Sequence, residues 1–268
     1  MKPISKTAFY CCGVRMQDAE GSNPVCGDIY AKRFMNDEGR RILETFKDEV
    51  RPNSSNVARH RIIDDLLREE LRAKPDLRIV IIGAGFDSRA YRLKGGRWIE
   101  LDEPQVIAYK NERLAPSACD NELHRIPIDF STESIEEKLS PFATTDSVVF
   151  VVEGVLMYLD QQVIVQLLHT LRRLFPRHTL ICDLMSRMFF EKYGRTMHQK
   201  IAGMGASFKF TAENPEILLV ENGYKLRRRV SITESAMDFG SKKIPKVILR
   251  TFFRTLTSGY AIYVFETS

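Results

Sequence analysis

Two glycines one residue apart, Gly83 and Gly85, follow the apolar run Ile79-Val80-Ile81-Ile82. Two acids, Glu100 and Asp102, come about twenty residues further on, the separation at which a strand-tip carboxylate accepts hydrogen bonds from ribose hydroxyls. Four β-branched aliphatics in a row suit a strand covered on both faces. A chain leaving such a strand turns sharply, and glycines permit the backbone angles and the close approach that a ligand-facing turn requires. The turn Gly83-Ala84-Gly85 is therefore expected to open its amides to a ligand. Alternation puts Glu100 and Asp102 on one strand face, so spacing alone does not choose between them. Asp102 is favoured because it lies past the apolar run, with Pro104 in place to open a helix.

Ser88 stands where a dinucleotide fingerprint has its third glycine, which argues against tight packing of a pyrophosphate. What remains is a turn for an amino-acid moiety and a carboxylate for a ribose. That combination suits S-adenosylmethionine, which has no phosphates, while another nucleotide or a purely structural turn stays open. A further carboxylate, Glu153, directly follows the apolar run Val148–Val152 and needs a partner if it is buried there.

The elements that must position these groups alternate. Residues 1 to about 75 read as helical, with Val57, Ile62, Ile63, Leu66, Leu67 and Leu71 on one stripe and residues 51–56 as a loop before it. Strand-like runs follow at 77–83, 97–101, 124–128, 147–153 and 178–184, with a clear helical pattern at 160–175. Two more runs, "YKLRRRVSI" and "YAIYVFETS", end the chain, and "IPKVILRTFFRTL" between them can form a helix. Alternation of this kind predicts an α/β fold: a doubly wound, mostly parallel sheet closed by an antiparallel pair, as in Rossmann-like methyltransferases.

Composition narrows the function classes. The 268 residues carry 40 basic and 35 acidic side chains, net +5, and the one dense basic run, Arg227-Arg228-Arg229, alternates faces as a solvated strand edge does. Neither nucleic acid nor a membrane is an expected partner, since no apolar stretch approaches the roughly 18 residues of a span. No apolar signal core follows the charged start, so the cytoplasm is the expected location. Five cysteines without a C-x-x-C pair and five scattered histidines predict neither a disulfide framework nor a metal site.

Taken in order, "ARHRIIDD" at 58–65, "IVIIGAGFDSRAYRL" at 79–93, "WIELDEPQVIAYK" at 98–110, "IPIDF" at 126–130 and "VVEGVLMYL" at 151–159 resemble the leucine carboxyl methyltransferase family. The resemblance runs to about residue 186. It implies a class I methyltransferase with a seven-stranded sheet at 76–268, preceded by a helical lid and cofactor-carboxylate segment at 1–75. It also implies S-adenosylmethionine as cofactor and gives residues their roles. Arg59 would pair with the cofactor's carboxylate, bidentately if geometry allows, with Arg61 as competitor. Gly83, Ala84 and Gly85 would face the methionine portion, Asp102 the ribose, Asp129 and Phe130 the adenine, and Glu153 the ammonium. Met157 and Tyr158 would line the methyl-transfer cavity. The segment Cys26-Gly27-Asp28-Ile29-Tyr30 departs from the family's usual D-P-Y.

The expected chemistry is in-line methyl transfer to oxygen, in which orientation and exclusion of water are the protein's main contributions. The expected acceptor is a small-molecule carboxylate, ionised at neutral pH and needing no base. Arg15, Arg187 or Arg195 would hold it. A protein C-terminal carboxylate is the second acceptor, and a phenol or alcohol would draw on His60, His198 or Tyr158. More distant readings are a nicotinamide oxidoreductase and a non-catalytic nucleotide-binding protein.

Overall fold

Helices α1 (Pro3–Ala19), α2 (Ala31–Phe34), α3 (Asp37–Thr45) and α4 (Val50–Ala73) precede the first strand of the computed structural model, which describes residues 2–240 and 254–267. The residues expected to be a loop at 51–56 instead form the first turns of α4. Pro52 is tolerated there because the first amides of a helix have no intrahelical partner to lose. Asn53 ties elements together rather than capping one: its Oδ1 accepts from the Tyr10 hydroxyl and its Nδ2 donates to the Phe46 carbonyl.

Strands β1 (Arg78–Ile82), β2 (Arg97–Asp102), β3 (Glu122–Pro127), β4 (Val148–Val152), β5 (His178–Met185), β6 (Tyr224–Ser231) and β7 (Tyr260–Thr267) form one sheet in the order β3-β2-β1-β4-β5-β7-β6. The first five are parallel, and β7 runs antiparallel to both β5 and β6. The sheet is thus mixed, with its two antiparallel contacts confined to the end of the chain. Crossovers are α5 (Arg89–Arg92), α6 (Pro104–Arg113), α7 (Ile135–Leu139) and α8 (Gln161–Leu174); after β5 come α9 (Arg187–Phe189), a π-helical turn at Phe190–Gly194, and α10 (Arg195–Gly203). Helices α11 (Glu216–Glu221) and α12 (Ile232–Phe239) flank β6. Most of the helix expected from "IPKVILRTFFRTL" lies outside the described residues.

The uniform apolar runs follow from two-sided burial. Ile79 and Ile81 face a core shared with α4, whereas Val80 and Ile82 face one shared with α8, whose Ile164, Leu167, Leu168 and Leu171 recur at helical spacing. A third apolar cluster joins Phe9, Phe34 and Phe46 of the N-terminal segment to Phe86 and Val106, so α1 is packed firmly over the end of β1. Strand β6 is an outer edge, and its three arginines pair locally with Glu266, Glu69 and the Tyr263 hydroxyl.

Candidate functional site

Because the first five strands are parallel, their carboxyl ends share one rim, and the order reverses between β1 and β4. That switch point is where doubly wound sheets leave a crevice. A cleft of about 590 Å³ opens there, roofed by Ser5, Thr7, Ala8 and Cys11 of α1 and floored by Gly83–Asp87, Asp102 and Glu153.

The glycine turn is built differently from expectation. Gly83 and Ala84 donate their amides to the Leu101 carbonyl at 2.9 and 3.0 Å, and Gly85 donates to Asp102 Oδ2 at 2.6 Å. The turn prolongs the β1–β2 ladder, so these amides are used within the protein and are not open to a ligand. Gly83 is still required, because at φ +69° a Cβ would lie 2.4 Å from Val155 Cγ2.

Asp102, the last residue of β2, lines the cleft; its Oδ1 accepts from the Glu103 amide, and burial pushes its carboxyl up to about 6. Glu100, two residues earlier, lies beneath it against Lys110 and Arg125, at 2.7 and 2.8 Å. The tertiary structure therefore separates the two acids that spacing could not. Phe130 lines the cleft, but Asp129 turns outward, where it accepts from Lys2 Nζ at 2.7 Å and from the Ser131 amide at 2.9 Å. Lys2 also pairs with Glu103 at 2.8 Å, drawing the start of α1 toward the ends of β2 and β3.

Arg59 and Arg61 part in the same way. Arg61 points away, pairing with Asp65 and the Val25 carbonyl. Arg59 is buried at the cleft floor: Nε donates to Glu153 Oε1 at 3.0 Å, and Nη1 to Asp183 Oδ2 at 3.1 Å and to the Tyr260 hydroxyl at 2.8 Å. Its Nη2 has no oxygen partner among the described residues and lies 3.9 Å from Cys11 Sγ. With both Nε and Nη1 engaged, a carboxylate in the cleft would meet Nη2 end-on, not the bidentate fork expected.

Beneath this surface lies a cluster of buried charge. Fully buried Arg89 donates to Asp64 at 2.6 Å, to Glu153 Oε2 at 2.8 Å and to Asp87. Arg92 holds Asp64 and Arg15 holds Asp28. Burial alone would raise the Asp28 carboxyl, but Arg15 and Arg92 hold it down at about 2, and Arg89 likewise keeps Glu153 and Asp87 below the usual carboxylate range. His60 sits within 2.8 Å of an Arg89 nitrogen and 2.7 Å of an Arg92 nitrogen. Burial, then Arg89 and Arg15, lower its pKa, and with an arginine nitrogen against each ring nitrogen it has no free site to act as base for the cleft. His60, Asp87 and Glu153 present ligand atoms within 4.8 Å of one another, but the Arg89 guanidinium already bonds to all three.

Several expected acceptor-side residues are elsewhere. Arg15 reaches the cleft wall but is tied to Asp28 and the Phe86 carbonyl. Arg187 and Arg195 are exposed and do not line the cleft, and Met157 is core. His198 packs between Phe190 and Phe208, off the cleft, with its Nε2 buried and without a partner among the described residues. Tyr158 does line the cleft, edge-on to Phe208. Residues the sequence reading missed include Ser5, whose buried hydroxyl has no partner among the described residues, and Asp183. Asp183 carried a legible signal: a carboxylate inside "TLICDLM" needs a buried partner as surely as Glu153 does.

Residues 10–172 match the family described as leucine carboxyl methyltransferase. The chain belongs to that family. Among its curated relatives are a Mycobacterium tuberculosis protein named "Putative S-adenosyl-L-methionine-dependent methyltransferase", 28% identical over 176 residues, and a similarly named Streptomyces coelicolor protein, 25% identical over 191 residues. The aligned segments cover 58% and 64% of this chain, and the chain spans 57% and 62% of the lengths of these relatives. Solved structures share the fold. A DUF574 family protein from Streptomyces avermitilis superposes with a TM-score of 0.61 at 13% identity, over 94% of this chain and 99% of its own. Magnesium protoporphyrin IX methyltransferase from Synechocystis, solved with bound S-adenosylhomocysteine, superposes at 0.51 and 16% identity, over 88% and 97%. The chain thus has the class I methyltransferase fold, with the antiparallel β7 making its sheet mixed.

Proposed function

We propose that this chain is an S-adenosylmethionine-dependent O-methyltransferase that esterifies a carboxylate of a small molecule. The observation that carries the reading is the convergence, in one cleft at the switch point, of a spare guanidinium nitrogen on Arg59, the Gly83–Gly85 turn and the strand-tip carboxylate of Asp102. The donor set fits such a cofactor: Arg59 Nη2 for its carboxylate, Glu153 for its ammonium, Asp102 for its ribose and Phe130 for its adenine. Asp129 enters that set only if Lys2 releases it. The Ser5 hydroxyl adds a polar group with no partner among the described residues at the cleft wall.

The bound cofactor supplies a methyl group already activated on a sulfonium sulfur. The chain's contribution is to orient and to exclude water. Helix α1 roofs the cleft, and Tyr158, held against Phe208, walls it. Both cleft-lining arginines already have carboxylate partners, so the acceptor is positioned by shape more than by a dedicated counter-ion. An ionised carboxylate needs no base, which agrees with a His60 whose two ring nitrogens each face an arginine inside the charge cluster. The family description supports the carboxyl acceptor. Neither α4 nor any other described helix is long and apolar enough to cross a membrane, and no described feature favours a nucleic-acid acceptor.

The test is transfer of a labelled methyl group from S-adenosylmethionine to a panel of small carboxylic acids, phenols and C-terminal peptides. Base-labile label on the acids is expected. Label only on phenols, or tight binding of nicotinamide dinucleotides with no transfer, would reject the assignment.

A pH effect follows from Asp102. Its carboxyl, raised to about 6, is protonated in acid and then accepts poorly from ribose hydroxyls. Affinity for S-adenosylhomocysteine should therefore fall roughly tenfold between pH 7 and pH 5, as the ionised fraction does. Asp102→Asn should be weaker at pH 7 and flat across that range. Calorimetric titration at three pH values checks both; a flat wild-type profile would move the ribose contact elsewhere.

A further inference from the structure

The match to the family ends at residue 172, but the groups that hold Arg59 do not. Asp183 stands near the end of β5 and Tyr260 at the start of β7. In the antiparallel register Ile262 lies opposite Asp183 and Tyr260 opposite Met185. Tyr260 and Asp183 are therefore diagonal neighbours on one sheet face. Because β7 is antiparallel to β5, its first residue reaches the same rim as the carboxyl ends of the parallel strands.

We propose that Asp183 and Tyr260 are positioning residues that aim Arg59 Nη2 at the methionine end of the cofactor. The proposal rests on the reading of Arg59 as the partner of the cofactor's carboxylate.

The geometry is a closed triangle. Tyr260 donates its hydroxyl to Asp183 Oδ2 at 2.7 Å, and both oxygens accept from Arg59 Nη1, at 2.8 and 3.1 Å. The other Asp183 oxygen, Oδ1, accepts from the Gly154 amide at 2.6 Å. One buried carboxylate thus fixes the guanidinium and the turn after β4 together. Gly154 completes the arrangement, since at φ +68° a Cβ there would lie 3.2 Å from Arg59 Nη2, the nitrogen left over. With Nε on Glu153 and both Nη1 hydrogens on the triangle, rotation of the guanidinium would break three bonds, so Nη2 has one direction to face. Burial, with Asp183 adding to it, keeps the Tyr260 phenol protonated at all working pH values, so its hydrogen stays on Asp183 and its lone pair on Arg59. Asp183 is 1% exposed and Tyr260 8%. They act through Arg59 and not by ligand contact, since neither lines the cleft.

The experiment compares S-adenosylhomocysteine with 5′-methylthioadenosine, which lacks the amino-acid portion, by calorimetric titration of the full chain. Tyr260→Phe should weaken S-adenosylhomocysteine about three- to tenfold, the range of one net hydrogen bond, and leave methylthioadenosine within about twofold. Asp183→Asn should show the same selectivity with a larger loss, its thermal unfolding checked alongside. A merely structural role would lower both ligands together. Equal losses, or none, in Tyr260→Phe while Arg59→Met loses S-adenosylhomocysteine selectively would overturn the clamp and leave the cofactor reading intact. A wild-type chain that binds neither nucleoside, or an Arg59→Met chain that binds S-adenosylhomocysteine normally, would overturn that reading and the clamp with it.

Discussion

Arg89→Met is expected to destabilise the fold by about 3–5 kcal/mol at pH 7, the range for removing one partner of a buried ion network. Arg89 is fully buried, with no exposed surface. It bonds to Asp64, Asp87, Glu153 and both the ring and the carbonyl of His60. Methionine fills much of the volume and satisfies none of those groups. Asp64 keeps Arg92, but Asp87 loses its near cation, and among the described residues Glu153 keeps only Arg59 and the His60 ring. The sign of the pH dependence follows. In the wild type both carboxyls sit below their usual values, so their contribution is present above the unfolded pKa and lost as pH falls through the folded one. Without Arg89, burial is opposed less strongly and both carboxyls rise, so protonation relieves the variant as pH falls. The deficit measured by urea unfolding should shrink from pH 7 to pH 5. A pH-independent loss below about 1 kcal/mol would mean that water solvates the cluster.

Arg59→Met is expected to weaken S-adenosylhomocysteine roughly ten- to hundredfold, as loss of a hydrogen bond to a charged group does. It should also cost stability, because Glu153 and Asp183 lose a shared cation. Methylthioadenosine is expected to bind the variant nearly as well as the wild type, which separates loss of the contact from collapse of the cleft. Calorimetry at pH 7 reads both. Comparable losses for the two nucleosides would assign Arg59 a purely structural role.

Legibility followed the range of the interaction. The strands, the α8 stripe and the glycine turn were plain because period, β-branching and φ preference are local properties. Residues 51–56 misled because Pro and Asn punctuate loops as well as helix first turns, and only the Glu49 carbonyl accepting from the Asn53 amide decides between them. Candidate acids and arginines were found as types and ranked by spacing, but ranking failed where partners came from far away. Asp129 is drawn outward by Lys2, 127 residues distant, and Arg15 is tied to Asp28. Tyr260 could not be found, because nothing near it in the chain marks it and its partner Arg59 is 201 residues away.

By itself, the sequence determined the doubly wound sheet, the turn after β1, the acid at the tip of β2 and, through an ordered set of motifs, the family. Each of these depends on residues close together along the chain. Tertiary structure decided that Arg59 and Asp102 line the cleft while Arg61 and Glu100 do not, that the turn's amides close on β2, and that an antiparallel strand returns a tyrosine to the cleft rim. Those choices turn on which distant charge or carbonyl reaches a buried group first. That competition is resolved only when the sheet and its helices are assembled.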